Sequence, residues 1–392
     1  MYNFQQSLAY YSLLVGSLVV NLVACEQTDT PQVISIQDDS PFEVALPEST
    51  LDQDPLTAYP TEQEKLLAKQ DAFDTRGNFQ SIYGATRDPQ QPTRAIAEFE
   101  ATEGVLISWD WSQQDYILRL IQLVATSSKV WVLTANVNES RQLKSALVRS
   151  GVPADKLGFF EFKHESVWTR DYGPWSIIND EGLASMVDVK YFFNRRRDDA
   201  VPTLMARHFN VPVYRPALEI EGGNFMSDGA GRCFFSSRVL EANYAKDSRD
   251  LGDLFNRYLG CEQSLVLEPL IGEGTGHIDM FTKLLSPDTL ILGYYRYEDD
   301  PMNAELMERN LRRIQNFAQQ TSWPLKVIRM PMPRARYSGA YPSYTNSLMV
   351  NDLVIVPIYP RQNRYEAEAL KAYQDALGAE YQIVTIDADQ II

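Results

Sequence analysis

The chain is 392 residues long and 44% hydrophobic, enough to bury one large core or two ordinary ones. Its formal net charge of −16 argues against a nucleic-acid surface and suits a cationic partner or plain solubility. The three histidines (His164, His208 and His277) show no metal-ligand spacing, which argues against a metal centre; no metal and no cofactor is expected.

Residues 1–24 carry no charged side chain, and Leu8 to Ala24 is almost wholly apolar before Cys25. Residues 1–25 therefore resemble a bacterial lipoprotein signal, whose cysteine is lipidated and becomes the mature N-terminus. The segment lacks a basic n-region, and an uncleaved anchor or a buried helix is the alternative. No later run reaches the roughly 18 apolar residues of a membrane span, so the membrane is expected to be met only through the lipid on Cys25. The expected location is the bacterial cell envelope, after export. Residues 26–93 begin acidic and proline-containing, with Lys65 the first basic residue of the chain. Such a stretch buries too little apolar surface to offset its chain entropy and reads as a disordered tether. If Cys25 carries lipid, Cys233 and Cys261 remain, either as a disulfide or as two free buried thiols.

From about Arg94 to the last residue the texture is that of alternating short strands and helices, an α/β domain over 94–392. Val105 to Trp109 reads as a buried strand, Asp115 to Thr126 as a helix and Val130 to Thr134 as a strand. Asn138 is expected to cap a helix running to Ser150, with Gly151 as its left-handed stop. Gly158 to Phe162 is a strand leading into Val167-Trp168-Thr169-Arg170-Asp171-Tyr172-Gly173-Pro174-Trp175, where Gly-Pro stops any helix or central strand. Val201 to Phe209 reads as a helix, Val211 to Tyr214 as a strand, and Asp228-Gly229 as a turn into a strand over Arg232 to Ser236. A helix over Asp247 to Leu259 stops at Gly260, and Ser264 to Leu267 is a strand. Next comes Gly274-Thr275-Gly276-His277-Ile278-Asp279, in which an extended backbone would put His277 and Asp279 on one face. Asn303 to Gln320 is a long helix, Trp323 to Met330 a strand, and Asn351-Asp352 a turn. A helix over Arg364 to Leu377 and a strand over Tyr381 to Ile386 complete the series.

The order strand-strand-helix-strand recurs without shared sequence. The stops at Gly151 and Gly260 precede Asp171 and Asp279 by nearly equal spacings. Each unit is thus expected to deliver a polar group on the loop after the same strand, as in a propeller whose loops converge on one axis. By that spacing the stop at Gly378 points to a group past Ile392.

A guanidinium is planar, permanently charged and rich in donors, so in-plane carboxylates recognise it best. Asp171 and Asp279 are candidates for that task; the alternatives are an internal Asp171–Arg170 pair that fixes the turn, and a satisfied strand histidine at His277 beside a capping Asp279. Hydrolysis of a guanidinium needs a nucleophile on its central carbon, a proton for departing ammonia and an activated water. A thiolate suits the first and a histidine the other two.

Trp168-Thr169-Arg170-Asp171-Tyr172-Gly173-Pro174, Glu221-Gly222-Gly223-Asn224-Phe225, His277-Ile278-Asp279 and Tyr344-Thr345-Asn346-Ser347 stand in the order seen in one family. With Glu98-Phe99-Glu100-Ala101-Thr102-Glu103-Gly104-Val105 at its start, residues 94–392 resemble bacterial agmatine deiminases and Porphyromonas-type peptidylarginine deiminases. The resemblance implies a five-bladed α/β propeller, the pentein fold, with the last blade incomplete at the C-terminus. It implies that Asp171 and Asp279 bind the guanidinium and that His277 is the general acid/base. It implies that Trp168, Arg170, Asn224 and Asn346 line the substrate, and that Arg195 and Arg197 of the Asn194-Arg195-Arg196-Arg197 stretch hold a substrate carboxylate. Glu221-Gly222-Gly223-Asn224 is expected to shape the wall of the site. The family's nucleophilic cysteine belongs in a Gly-rich stretch after the last strand, past Ile392. Neither Cys233 nor Cys261 is at that place.

The expected function is therefore deimination of peptidylarginine or agmatine, a small-molecule or peptide substrate. The alternative is a non-catalytic surface lipoprotein that binds arginine-like ligands. A third class, an unrelated metal hydrolase using His277 and Asp279, would be betrayed by sensitivity to a chelator.

Overall fold

The computed structural model describes residue 81 and residues 83–391, apart from 192–194, 245 and 336–339 and the side chain of 248. The expected signal with Cys25, most of the expected tether, and Asn194 lie outside the described residues. Residues 83–93, at the end of that tether, lie against the domain. Thr86 N donates to Arg215 O, and Arg257 pairs with Asp88.

The strands among the described residues fall into five small sheets. Strand β1 (Thr93–Ala95) adds to the edge of the second sheet. The first sheet is parallel throughout, with β2 (Gly104–Ser108), β3 (Lys129–Thr134) and β4 (Leu157–Glu161) linked by helices Gln114–Val124 and Val137–Arg149. The other four share one plan, an antiparallel hairpin followed by a helical crossover to a strand parallel to the second. They are β5 (Trp175–Asn179), β6 (Ala184–Val187) and β7 (Val213–Tyr214), then β8 (Phe225–Ser227), β9 (Arg232–Ser236) and β10 (Gln263–Leu267). They continue with β11 (Thr282–Ser286), β12 (Thr289–Tyr294) and β13 (Lys326–Pro331), then β14 (Leu348–Val350), β15 (Leu353–Ile358) and β16 (Gln382–Asp387).

Local chemistry explains most boundaries, including those the sequence reading misplaced. Asn136, not Asn138, caps the helix to Arg149, because Asn136 is the last extended residue and its side chain accepts from Asn138 N and Glu139 N. The helix expected from Val201 begins at Arg196 and carries Pro202 inside it. Its first turn is anchored from outside, since Asp198 accepts from Glu165 N and Asp199 from Tyr191 N. Gly260 ends its helix as expected, at φ 66°.

Each sheet shares apolar packing with the next. Leu106, Leu133 and Phe160 of the first sheet meet Met186 of the second, and Ile177 and Val187 of the second meet Phe235 of the third. Phe234 of the third joins Leu292 of the fourth and Val354 of the fifth. Leu348 and Ile355 of the fifth pack with Val105 and Val130 of the first.

Candidate active site

The polar residues of interest occupy one topological position, the connection that enters a sheet. Glu98 precedes β2, Asp171 precedes β5, Glu221 precedes β8, Asp279 precedes β11 and Asn346 precedes β14. The expected rule, a polar group delivered after the same strand of each unit, thus extends to Glu221 and Asn346.

Asp171 lies on a single helical turn, Thr169–Tyr172, ended by Gly173 and Pro174. The turn is fixed from below by Tyr172, whose hydroxyl donates to Ser166 O at 2.9 Å and bonds Ser108 Oγ at 2.6 Å. Half-buried Trp168 precedes it and packs beside Val167. Arg170 turns away from Asp171: its Nε is 3.2 Å from Asp279 Oδ2. The internal Arg170–Asp171 pair considered from sequence is therefore replaced by a pair between two loops.

His277 and Asp279 do not lie on a strand. The three glycines of Gly272, Gly274 and Gly276 and the short turns they allow make residues 271–281 a loop, and burial rather than strand alternation aims both side chains inward. His277 Nε2 is 2.5 Å from Glu221 Oε2, and Nδ1 is 3.7 Å from Asp171 Oδ1. Two glycines make this possible. A Cβ on Gly223 would stand 2.3 Å from His277 Nδ1, and one on Gly222 2.0 Å from Arg170 O. Gly223 O also accepts from Ile278 N at 3.0 Å, so the turn at 222–224 and the His277 loop are docked directly. Glu221, expected only to shape the wall, is the direct partner of the imidazole. An acidic residue before two glycines was the available signal, but its target lies 56 positions away.

The electrostatics are dominated by burial. Burial raises the Asp171 carboxyl to about 7, helped by the Glu221 and Asp279 carboxylates and opposed by His277 and Arg170. Burial alone would lower the His277 imidazole, but Asp171, Glu221 and Asp279 raise it to about 10, so it is the imidazolium near neutrality. Asp279 Oδ1 is buried without a hydrogen-bond partner among the described residues. A buried carboxylate oxygen left open in this way suits a cationic ligand.

The remaining expected residues divide. Asn346 is beside Asp279, because Thr345 Oγ1 donates to Asp279 O at 2.9 Å and Asn346 Nδ2 is 3.8 Å from Met280 Sδ. Asn224 is buried with Oδ1 accepting from Ser236 Oγ at 2.6 Å. Arg195 is wholly buried and donates to the Tyr191 hydroxyl at 3.2 Å, its charge acting on Asp198 and Glu165. Arg197 is half-buried, and its Nη1 has no hydrogen-bond partner among the described residues. Cys233 and Cys261 form a disulfide within the core, closing the choice that the sequence left open. A cavity of about 280 Å³ opens beside Glu221 and Asn224, edged by Lys190, Tyr191, Arg238 and Thr275.

Residues 94–392 match the profile of the family described as Porphyromonas-type peptidyl-arginine deiminase. A curated protein of Vibrio parahaemolyticus, provisionally named an agmatine deiminase, is 23% identical over 343 residues, covering 76% of this chain and 92% of its own. The solved structure of the agmatine deiminase of Enterococcus faecalis superposes with a TM-score of 0.66 at 22% identity, covering 77% of this chain and 92% of that one. The agmatine deiminase of C. jejuni gives 0.63 at 18% identity, covering 77% and 92%. At these identities the superpositions show a shared α/β fold, the pentein fold expected from the motifs.

Proposed function

The chain belongs to the Porphyromonas-type peptidyl-arginine deiminase family, and from that premise we propose that it is a hydrolase that deiminates guanidino groups. One observation carries the proposal: the open, buried Asp279 Oδ1 stands in the same site as Asp171 and the His277–Glu221 pair. Asp171 and Asp279 hold the guanidinium in plane, each accepting from its N–H groups. A thiolate adds to the central carbon, and ammonia leaves with a proton from the His277 imidazolium. The remaining thiouronium is attacked by water whose proton His277 takes, and the C–S bond breaks to give the ureido product and the thiolate. Glu221 holds the imidazole oriented through both proton transfers and favours its charged form before the first and after the second. Both sulfurs of the disulfide are committed, so neither Cys233 nor Cys261 supplies that thiolate.

Between the two substrates, Arg197, whose buried Nη1 has no hydrogen-bond partner among the described residues, is read as holding an arginine carboxylate, which favours peptidylarginine over agmatine. Arg195, spent on Tyr191 and its acidic neighbours, is a framework residue in this account. The five sheets with their cyclic sharing of cores are read as five propeller blades around the site. A buried disulfide supports maturation in an oxidising compartment and hence export, with the lipid on Cys25 as anchor.

The test is equilibrium binding and turnover with agmatine and with an arginine-terminated peptide, each assayed for its ureido product. Asp171→Ala is expected to weaken guanidinium binding on the order of a hundredfold. Retained affinity in that variant sinks the assignment. A second function, binding of arginine-like ligands without turnover by a surface lipoprotein, is favoured by the commitment of both described cysteines to a disulfide. Ligand binding with no ureido product, insensitive to thiol alkylation, would select it.

A further inference from the structure

Behind the site runs a second set of buried charges that the mechanism above does not use. Glu98, in the connection entering the first sheet, and Lys283, on β11, form an ion pair with side chains only 9% and 3% exposed. Glu98 Oε1 also accepts from Met349 N at 3.0 Å, and Lys283 Nζ donates to Ser347 O at 2.7 Å. Glu98 and Arg170 both line one cavity of about 90 Å³, and the Arg170 charge acts on Glu98. The contacts order the four charges as two pairs, Asp279 with Arg170 and Glu98 with Lys283.

That order has a consequence for binding. Arg170 is itself a guanidinium set against Asp279, close enough to pair as ions at 3.2 Å but without hydrogen-bond alignment. A ligand guanidinium must share Asp279 with it. The nearer Arg170 is drawn to Asp279, the less of that carboxylate is left for a ligand. In a low-dielectric interior, a second carboxylate beside the same cavity as Arg170 competes for its charge. Lys283, bonded to Ser347 one residue past Asn346, fixes where that carboxylate stands relative to the other wall of the site.

We infer that Glu98, held by Lys283, is a positioning residue for guanidinium recognition: it draws charge from Arg170 and so leaves Asp279 free to take the ligand. The inference rests on the reading of Asp171 and Asp279 as guanidinium ligands, and the two fail differently. Agmatine is titrated calorimetrically into the full chain, wild type and variants, with melting temperatures recorded alongside. Glu98→Gln should weaken agmatine binding about tenfold. Glu98→Asp, which keeps the charge beside the cavity, should stay within about threefold of wild type. Adding Arg170→Gln to Glu98→Gln should restore most of the lost affinity, because the competing guanidinium has gone. A merely structural Glu98 gives the opposite sign, the double variant binding worse than the single one.

If Glu98→Gln alone does not fold, Glu98→Gln with Lys283→Met leaves no unpaired charge in the core and takes its place, with the same loss expected. Unchanged affinity in a folded Glu98→Gln protein, or a double variant weaker than the single, overturns the inference while leaving the recognition by Asp171 and Asp279 intact. Absence of binding of both agmatine and an arginine-terminated peptide to the wild-type chain removes that recognition, and the inference with it.

Discussion

His277 sits among three carboxylates in a buried space, and the sign of its titration follows from that count. Burial pulls its pKa down, yet Asp171, Glu221 and Asp279 together raise it to about 10. Its charge therefore contributes stability in full below its ordinary value of about 6.5, and that contribution is lost as pH rises through about 10. Asp171 acts in the same direction at lower pH, its contribution being lost as pH rises from its ordinary value of 3.8 through about 7. Its raised carboxyl favours the protonated folded form as pH falls through about 7, so ionising it at higher pH costs the empty site stability. A bound guanidinium favours the ionised form. Binding near pH 6 is therefore expected to release a proton, seen as a buffer-dependent heat in calorimetry. Equal heats in buffers of different ionisation enthalpy would show that Asp171 is already ionised when the site is empty.

At the scale of elements, the site depends on two loops pressed together without side-chain spacers. The turn at 222–224 faces the 271–281 loop through Gly223, where a methyl group would collide with the imidazole. Gly223→Ala is expected to cost about 1–3 kcal/mol of stability through local overpacking. It should also lower turnover roughly a hundredfold, because a shift of His277 by about an ångström spoils its alignment. A folded Gly223→Ala protein with wild-type turnover would remove His277 from the chemistry. This contact also marks a limit of sequence pattern. Period-two alternation placed His277 and Asp279 on one strand face, whereas both point inward from a glycine-rich loop held by Gly223 O and Thr345 Oγ1. The Glu221–His277 bond joins loops that enter different sheets, so no local periodicity encodes it.

At the scale of the molecule, the Cys233–Cys261 bond ties β9 to the stretch before β10 over 28 positions. Closing a loop of that length removes unfolded-state freedom worth about 3–4 kcal/mol. Reduction, or Cys233→Ser, should lower the melting temperature by several degrees. Because neither sulfur serves the site, guanidinium binding below that temperature should persist. Binding lost on reduction while the fold remains would tie the disulfide to the site. Cores are shared from sheet to sheet, ending with Leu348 and Ile355 against Val105 and Val130, so residues of the last sheet and the first pack together. Charges far apart in the chain, such as Glu98 and Lys283, meet as well.

The sequence by itself determined the elements whose causes are local: buried strands, the left-handed stop at Gly260, a long helix ending at Gln320, and the acid and imidazole residues offered at Asp171, His277 and Asp279. It also carried the order of motifs by which the family is legible. Only the tertiary structure decided which of these groups face one another. Glu221 bonds His277, Arg170 pairs with Asp279, and Arg195 is spent inside the domain, while Arg197 Nη1 is buried without a hydrogen-bond partner among the described residues. The physical reason is that hydrogen bonds within a turn are written in neighbouring residues, whereas a buried charge takes its partner from whatever distant loop the packing of the sheets brings within reach.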